Sequence, residues 1–234
     1  MSLQKVLIAG GGIGGLAAAL ALLKAGIDVE IYEQSDELRE VGAGLQISPN
    51  GNRVLDHLGV LAALRALSSP TDGKEIRLWN TGQSWKLFDL GDAAVQKYGY
   101  PYMTAFRPAL LQVLADAVQA IKPDALHLGA RCSGLSQDRH GVVLKFDNRE
   151  PVHGDLLIGA DGVHSKIRTA LMGPSPTLFT GMVAWRALIP MTALPVHMHR
   201  NVATNWVGPG GHVVHYPLNG GTVMNFVGIL ENSA

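Results

Sequence analysis

The sequence predicts an α/β fold: a doubly wound, Rossmann-like domain with a β-rich domain inserted in two pieces. Three observations predict it. "KVLIAGGGIGGLAAALALLKAGIDVEIYEQ", residues 5–34, has the pattern strand, glycine turn, helix, strand. "GDLLIGADGVHSKIRTAL", residues 154–171, has an apolar strand followed by a helix. "EIRLWNTGQSWKLFDL", residues 75–90, and the chain beyond 173 are rich in β-forming residues.

Composition limits the classes of function. The 234 residues are 47% hydrophobic, enough for a sizeable core, and 19 basic residues balance 19 acidic ones. This balance argues against nucleic acid or an anionic membrane as partner and favours a small molecule. The single cysteine, Cys132, forms no disulfide within the chain and suits a reducing compartment, so we expect the cytoplasm.

The uncharged run from Leu7 to Leu23 follows Lys5, as the core of a signal peptide would. Its glycine cluster and the strand pattern that comes next argue against that alternative. The run is also shorter than a bilayer requires.

The glycines have the spacing Gly10-x-Gly12-x-x-Gly15, followed by a helix over 16–25 that Gly26 ends. Gly10 allows a tight turn, Gly12 lets a pyrophosphate approach the main chain, and Gly15 lets helix and strand pack closely. Glu33 ends the next strand, where a carboxylate can bind an adenosine ribose. The turn alone does not separate NAD from FAD, and a glycine turn without a ligand is the remaining alternative.

Further along, the pattern predicts an amphipathic helix over 51–58, a hairpin at Thr81-Gly82 and strands on either side of His140-Gly141. Another helix begins near Arg107, with Pro108 in its first turn.

Leu156–Ile158 is predicted as a buried, central parallel strand, with Asp161 at its carboxyl end and a helix over 165–171. Ligands bind at this edge of doubly wound sheets. The alternative role for Asp161 is helix capping.

Several stretches together resemble the single-component FAD-dependent aromatic hydroxylases typified by p-hydroxybenzoate hydroxylase. The similarity is greatest to the branch with salicylate hydroxylase, 3-hydroxybenzoate 6-hydroxylase and 6-hydroxynicotinate 3-monooxygenase. The segments that carry it are "GGGIGGLAAALAL", "EQ", "GAGLQISPN", "FRPAL", "DLLIGADGVHSKIR" and "WVGPGGHVVHYPLNGG". They span essentially the whole chain, and "GADGVHSKIR" is much more specific than the glycine turn.

The resemblance implies roles for the residues that would bind FAD. The residues expected to hold its ADP half are Gly10, Gly12, Gly15 and Glu33. The main chain at Arg131 and Cys132 would line the adenine. Asp161 would support FAD binding and pyridine nucleotide use, and Arg107 would contact the flavin phosphate or ribityl region. For Arg107 the alternative is a surface arginine, although a cation gains nothing from the dipole at a helix start.

The resemblance also implies hydroxylation of an electron-rich ring with NADH or NADPH and O2. A free phenol has a pKa of about 10, so a base or donor network must favour its phenolate. If "GGHVVHYPL" is a strand, His212 and Tyr216 share a face with Val214 and His215 points away. His212, Tyr216 and Gln46 are the expected catalytic residues, with a structural strand histidine as the alternative for His212.

Gln46 falls where 6-hydroxynicotinate monooxygenase has a histidine, which favours a hydroxybenzoate over a pyridine. "HMH", residues 197–199, would put two imidazoles on one face of a strand. It has no carboxylate at ligand spacing, so no metal site is expected.

The expected FAD-binding domain comprises residues 1–72 and 103–172, and the expected substrate domain comprises 73–102 and 173–234. Relatives continue into a "GDAAHP"-like segment that this chain lacks, so a C-terminal truncation is expected. "GDAA" at 91–94 lacks the His-Pro continuation and better fits a helix cap.

Two alternatives to the hydroxylase stay open: a catalytically inactive FAD-binding remnant, and an NAD(P)H/FAD reductase without oxygen chemistry. The absence of CxxC argues against a disulfide reductase. The sequence does not choose the aromatic substrate, NADH over NADPH, or an oligomeric state, for which a homodimer is the candidate.

Overall fold

The computed structural model describes residues 4–38 and 43–231. In chain order the strands are β1 (Lys5–Ala9), β2 (Asp28–Tyr32), β3 (Gly44–Ile47), β4 (Ser69–Pro70), β5 (Gly73–Leu78), β6 (Ser84–Asp89), β7 (Met103–Phe106), β8 (Leu126–His127), β9 (Cys132–Asp138), β10 (Gly141–Phe146), β11 (Val152–Gly154), β12 (Leu156–Gly159), β13 (Met182–Pro190), β14 (Val202–Gly208), β15 (Gly211–Leu218) and β16 (Val223–Glu231). The helices are α1 (Ile13–Lys24), α2 (Pro49–His57), α3 (Leu61–Ala66), α4 (Asp92–Tyr98), α5 (Arg107–Ile121) and α6 (Lys166–Met172).

The chain divides into two compact units. Unit 1 comprises residues 1–39 and 110–177, and unit 2 comprises residues 40–109 and 178–234. The expected FAD-binding domain included residues 40–72 and 103–109, which group here with unit 2. The functional assignment of the two domains stays a prediction.

Unit 1 contains a parallel sheet with the strand order β12-β1-β2-β8. Its centre is β1, whose residues Val6–Ala9 are completely buried, and α1 packs against β1 and β2. A second, antiparallel sheet has the order β11-β10-β9. The predicted strand, turn, helix, strand sequence is therefore confirmed, although α1 begins at Ile13, three residues before the predicted start.

The prediction that the strand after Gly154 is central and buried is wrong for the described residues. β12 pairs with β1 on one side only and lies at the edge of the sheet, where Leu156 is 44% exposed. Apolar composition alone does not separate a central strand from an edge strand that exposes one face.

Unit 2 contains a six-stranded sheet with the order β13-β16-β15-β14-β5-β6. All its pairs are antiparallel except β5 with β14, which joins the early hairpin to the later strands. A smaller sheet has the order β3-β7-β4. The predicted hairpin at Thr81-Gly82 is confirmed, and so is the mixed α/β class.

"GDAA" begins α4, with Gly91 at its N-cap, as the capping interpretation predicted. Within the described residues, no helix is long and apolar enough to cross a bilayer.

Candidate functional site

A cavity of about 570 Å³ opens in unit 1 where the strands of the parallel sheet end. Because β1, β2 and β12 are parallel, the residues that follow them meet at the same edge of the sheet. The cavity is lined by Gly10, Gly12, Tyr32, Glu33, Gln34, Ala130, Arg131, Cys132, Asp147, Ala160, Asp161, Gly162, His164 and Lys166. The structure therefore brings six of the predicted cofactor-binding residues together: Gly10, Gly12, Glu33, Arg131, Cys132 and Asp161.

The three motif glycines have different reasons to lack a side chain. Gly10 has φ +105°, and a Cβ there would lie 2.3 Å from the Ala160 carbonyl oxygen. A Cβ on Gly15 would lie 2.0 Å from the Gly10 carbonyl oxygen. Gly12 has no atom within 4 Å of a Cβ position. Gly10 and Gly15 are thus fixed by backbone packing, whereas Gly12 leaves open space at the start of α1.

That open space fits a phosphate-bearing ligand. Gly12 is the N-cap of α1, so the first amides of the helix point toward the cavity edge with no acidic side chain in the first turn. An alanine methyl at Gly12 would occupy the approach to these amides.

Glu33 lies beside the glycine turn. Its carboxylate accepts a hydrogen bond from the Gly11 amide at 2.7 Å and one from the Ser35 amide at 3.0 Å. These bonds fix the carboxylate at the mouth of the cavity after β2.

Asp161 caps α6, as the helix-capping alternative predicts. Its carboxylate accepts from the amides of Lys166 at 2.7 Å and Ile167 at 3.1 Å, and from the Ser165 hydroxyl at 2.5 Å. Asp161 lines the cavity as well, so the capping role does not remove it from the site.

Cys132 is half-buried and lines the same cavity. Burial raises the pKa of its thiol to about 12, and the nearby carboxylates of Asp161 and Glu33 act in the same direction. The thiol is therefore protonated at neutral pH and is not a nucleophile there. The neighbouring Arg131 amide donates to Asn148 Oδ1 at 3.3 Å, which holds this turn of main chain.

In unit 2, one face of the large sheet carries two of the predicted catalytic residues. β15 is a strand, so His212, Val214 and Tyr216 share a face, as predicted. Tyr216 is 4% exposed and packs with Ala203 and Leu218. Burial raises the pKa of its hydroxyl to about 12.

The third predicted catalytic residue, Gln46, lies on β3. The Tyr102 hydroxyl donates to Gln46 Oε1 at 2.6 Å, and the amide N–H groups of Gln46 are the donors of this side chain. Gly44 is two residues earlier on the same face of β3, and a Cβ there would lie 2.8 Å from the Tyr216 ring. Gly44 thus lets β3 approach Tyr216 closely.

The opposite face of the large sheet carries His215 and a group of polar and charged side chains around Glu75. His215 Nε2 accepts from the Trp206 indole at 3.2 Å, and burial lowers the pKa of His215. Nearby, Glu75 binds Arg77, Arg200 and Thr204 at distances of 2.9–3.2 Å. His215 therefore points away from Tyr216, as expected.

Arg107 is the first residue of α5, and its amide donates to the Ala43 carbonyl at 3.0 Å.

The "HMH" segment is not a strand. His197 lies in a 3-10 turn, Val196–Met198, that His199 follows, because Pro195 begins a tight turn. Across residues 4–38 and 43–231, no group of three or more His, Cys, Asp or Glu side chains could hold a metal ion.

Sequence reasoning missed three polar neighbours of these residues: Tyr102, Asn225 and Lys166. Asn225 lies directly across from Tyr216 on β16, and its Oδ1 accepts from the Gly44 amide at 3.0 Å. Only Lys166 carried a local signal, since it follows the "GADGVHS" segment; the other two reach the site through long-range pairing.

Comparison with known proteins extends these observations. The chain is 38% identical over 223 residues to the 3-hydroxybenzoate 6-hydroxylase of Polaromonas naphthalenivorans, covering 95% of this chain and 55% of that protein. It is 33% identical over 228 residues to a 3-amino-4-hydroxybenzoate 2-monooxygenase of Streptomyces platensis, covering 97% of this chain and 57% of that protein. Its structure matches the crystal structure of Klebsiella pneumoniae HpxO complexed with FAD and uric acid with a TM-score of 0.84 and 28% identity, covering 99% of this chain and 57% of HpxO.

The chain thus spans a little over half the length of these relatives. The FAD binding domain family matches residues 4–223, a range that contains the glycine turn, Asp161 and the strand with His212 and Tyr216. By this match over nearly its whole length, the chain belongs to the FAD binding domain family.

Proposed function

We propose that this chain contributes FAD binding and aromatic-substrate recognition to a flavin-dependent monooxygenase. The observation that carries the proposal is the cavity at the carboxyl ends of the parallel strands, where Gly12 leaves open space at the start of α1. The relatives named as hydroxylases and monooxygenases support the reaction class.

The residues that line this cavity would hold the cofactor. Amides at the start of α1, beside Gly10, Gly12 and Gly15, would bind the diphosphate. Glu33 would accept hydrogen bonds from the ribose, and the main chain at Arg131 and Cys132 would lie along the adenine. Asp161 would position the backbone near the cofactor through its cap of α6. Arg107 would contact the flavin phosphate or ribityl chain.

Bound FAD would supply the redox chemistry, with NADH or NADPH as the reductant and O2 as the oxidant. The protein's task is to hold the ring and favour the phenolate. The Tyr216 hydroxyl, which is protonated at neutral pH, would donate a hydrogen bond to the substrate oxygen, and burial, which raises its pKa to about 12, keeps that proton in place at alkaline pH as well. His212 would accept the phenol proton. Gln46, fixed by Tyr102, would donate an amide hydrogen bond.

The proposed substrate is a small aromatic of the salicylate or hydroxybenzoate type. Two named relatives act on benzoate derivatives with a ring hydroxyl, which supports this class. The burial of Tyr216 beside apolar Leu218 and Ala203 provides the low-polarity surroundings that an aromatic ring prefers. A cytoplasmic location and a homodimer stay predictions.

The test is NADH and NADPH oxidation by the FAD-loaded protein, with and without salicylate or 3-hydroxybenzoate, together with identification of the aromatic product. Oxidation that the aromatic acid stimulates, with a hydroxylated product, is expected. A comparison of His212→Ala with His215→Ala provides a matched control, since the two side chains occupy opposite faces of β15.

Bound flavin without stimulated oxidation would favour the inactive FAD-binding remnant. Hydride transfer to flavin without substrate-dependent O2 consumption would favour the reductase. Either result would contradict the proposed hydroxylase.

A further inference from the structure

A small cavity lies on the face of the large sheet opposite to Tyr216. Its volume is about 130 Å³, against about 570 Å³ for the cavity of unit 1. His215 on β15 is across from Thr204 on β14, which is across from Glu75 on β5. Residues opposite each other on neighbouring strands lie on the same face, and all three of these line the cavity. The space suits a small ion rather than a dinucleotide.

The walls of this cavity carry more positive than negative charge. Of the residues that line it, Glu75 is the one carboxylate, and Arg77 and Arg200 are both cationic. Glu75 Oε1 accepts from Arg77 Nε and from the Thr204 hydroxyl, each at 2.9 Å. The Arg200 guanidinium donates to both carboxylate oxygens at 3.2 Å. Two guanidiniums and one carboxylate leave a net positive charge before any histidine is counted.

The carboxylate of Glu75 is saturated, whereas the two guanidiniums are not. The bonds from Arg77, Arg200 and Thr204 fill the acceptor sites of the carboxylate. In these bonds Arg77 uses one N–H donor and Arg200 uses two, and a guanidinium has five. The Arg77 guanidinium also lies 5.5 Å from the centre of the Trp206 ring, which holds it at the cavity wall. An anion in the cavity would therefore meet donors that Glu75 does not use.

His215 adds a buried donor. Its Nε2 accepts from the Trp206 indole at 3.2 Å, and an indole N–H only donates, so Nε2 carries no proton. Burial lowers the pKa of His215, and the neutral ring then carries its proton on Nδ1. Nδ1 is buried and has no hydrogen-bond partner among the residues that the structure describes. A buried N–H without an acceptor is costly, so an acceptor bound in this cavity would be stabilised.

We infer that this cavity is a binding site for a small oxyanion of the phosphate type, held by N–H donors of Arg77, Arg200 and His215. The inference goes beyond the proposed function, because the site lies on the opposite face of β15 from His212 and Tyr216. A phosphate accepts several hydrogen bonds at once, and its charge is opposite to that of the guanidiniums. Inorganic phosphate and the terminal phosphate of a phosphomonoester share this chemistry.

The test is equilibrium dialysis of the FAD-loaded chain against radiolabelled inorganic phosphate at constant ionic strength. R77Q is expected to weaken phosphate binding about tenfold or more, because it removes a charged donor. R65Q removes the same charge from an exposed position on α3 and is the matched control, with unchanged affinity expected. Phosphate bound at the start of α1 would not depend on Arg77, so the result is readable whether or not the chain retains FAD.

Two substitutions of His215 separate its donor from its acceptor. The amide nitrogen of Asn lies near the position of Nδ1, whereas the amide of Gln lies near the position of Nε2. H215N is therefore expected to bind phosphate within about threefold of the wild type, and H215Q about tenfold more weakly. Urea unfolding shows which variants are folded, and the His215 pair decides the question if R77Q does not fold.

Saturable binding that R77Q and H215Q weaken would support the inference. In that case, unlabelled glycerol 3-phosphate that displaces the label as well as inorganic phosphate does would identify a phosphomonoester as the ligand, and failure to displace it would identify the free ion. A folded wild type that binds no phosphate would overturn the inference, and so would equal affinity in the wild type, R77Q and H215Q. Neither outcome bears on FAD binding or on the oxidation of NADH or NADPH, which test the proposed function separately.

Discussion

At the scale of single residues, a substitution at Gly12 is expected to change ligand binding without changing the stability of the fold. Gly12→Ala puts a methyl group into open space at a backbone geometry, φ −73° and ψ −179°, that alanine adopts easily. We expect the free energy of unfolding to stay within about 0.5 kcal/mol of the wild type. We expect FAD affinity to fall about tenfold, or about 1.4 kcal/mol, because the methyl blocks the approach to the helix amides. Chemical denaturation and FAD titration measure the two quantities.

Two glycines of the same turn serve as controls for this prediction. Gly14→Ala lies on an exposed position of α1 with no atom within 4 Å of the new methyl, and it should leave FAD affinity unchanged. Gly15→Ala should instead destabilise the fold by about 1–3 kcal/mol, since its Cβ meets the Gly10 carbonyl oxygen at 2.0 Å. Unchanged FAD affinity in Gly12→Ala would place the diphosphate elsewhere.

Tyr216 makes the stability of the protein sensitive to alkaline pH. Burial raises the pKa of its hydroxyl from 10.0 to about 12. Between these values the unfolded chain has lost the proton that the folded chain keeps, so the free energy of unfolding falls as pH rises. Urea unfolding between pH 9 and 12 should show a steeper fall for the wild type than for Tyr216→Phe. Parallel curves would show that this hydroxyl titrates at its ordinary pKa.

At the scale of elements, α6 depends on a cap made by two residues. Asp161 accepts from the amides of Lys166 and Ile167, and the Ser165 hydroxyl accepts from the Arg168 amide at 2.9 Å. Asp161→Asn and Ser165→Ala should each lower the free energy of unfolding by about 1 kcal/mol. Only Asp161→Asn should also weaken FAD binding, because Asp161 lines the cavity. If Asp161→Asn and Ser165→Ala bind FAD with equal affinity, the role of Asp161 is only to cap α6.

The elements themselves were predictable where the signal is local. The glycine turn, the helix that Pro108 opens and the hairpin at Thr81-Gly82 each follow from a few neighbouring residues, and the structure confirms them. The position of β12 in its sheet was not predictable, since it depends on which strands pair with β1 across some 150 residues of sequence. On a strand, "HMH" would place two imidazoles on one face, but Pro195 begins a 3-10 turn that includes His197 and Met198.

At the scale of the whole molecule, the two groups of candidate residues also differ in how well the sequence predicts them. Some follow from local patterns, and others depend on long-range strand pairing. The convergence of the candidate cofactor residues of unit 1 was predictable because parallel strands must end at one edge, where the motifs after β1, β2 and β12 meet. The candidate substrate residues of unit 2 are predictable only along one strand, since the shared face of His212 and Tyr216 follows from the alternation of β15. Asn225 lies across from Tyr216 through the pairing of β16 with β15, which no local pattern encodes.

The most direct test of the account is FAD binding by the purified chain, measured from its visible absorption spectrum after reconstitution and desalting, with Gly12→Ala alongside. The account predicts flavin absorption bands near one FAD per chain for the wild type, and much less flavin retained by Gly12→Ala at unchanged stability. A folded wild-type chain that retains no flavin after FAD is added would contradict it.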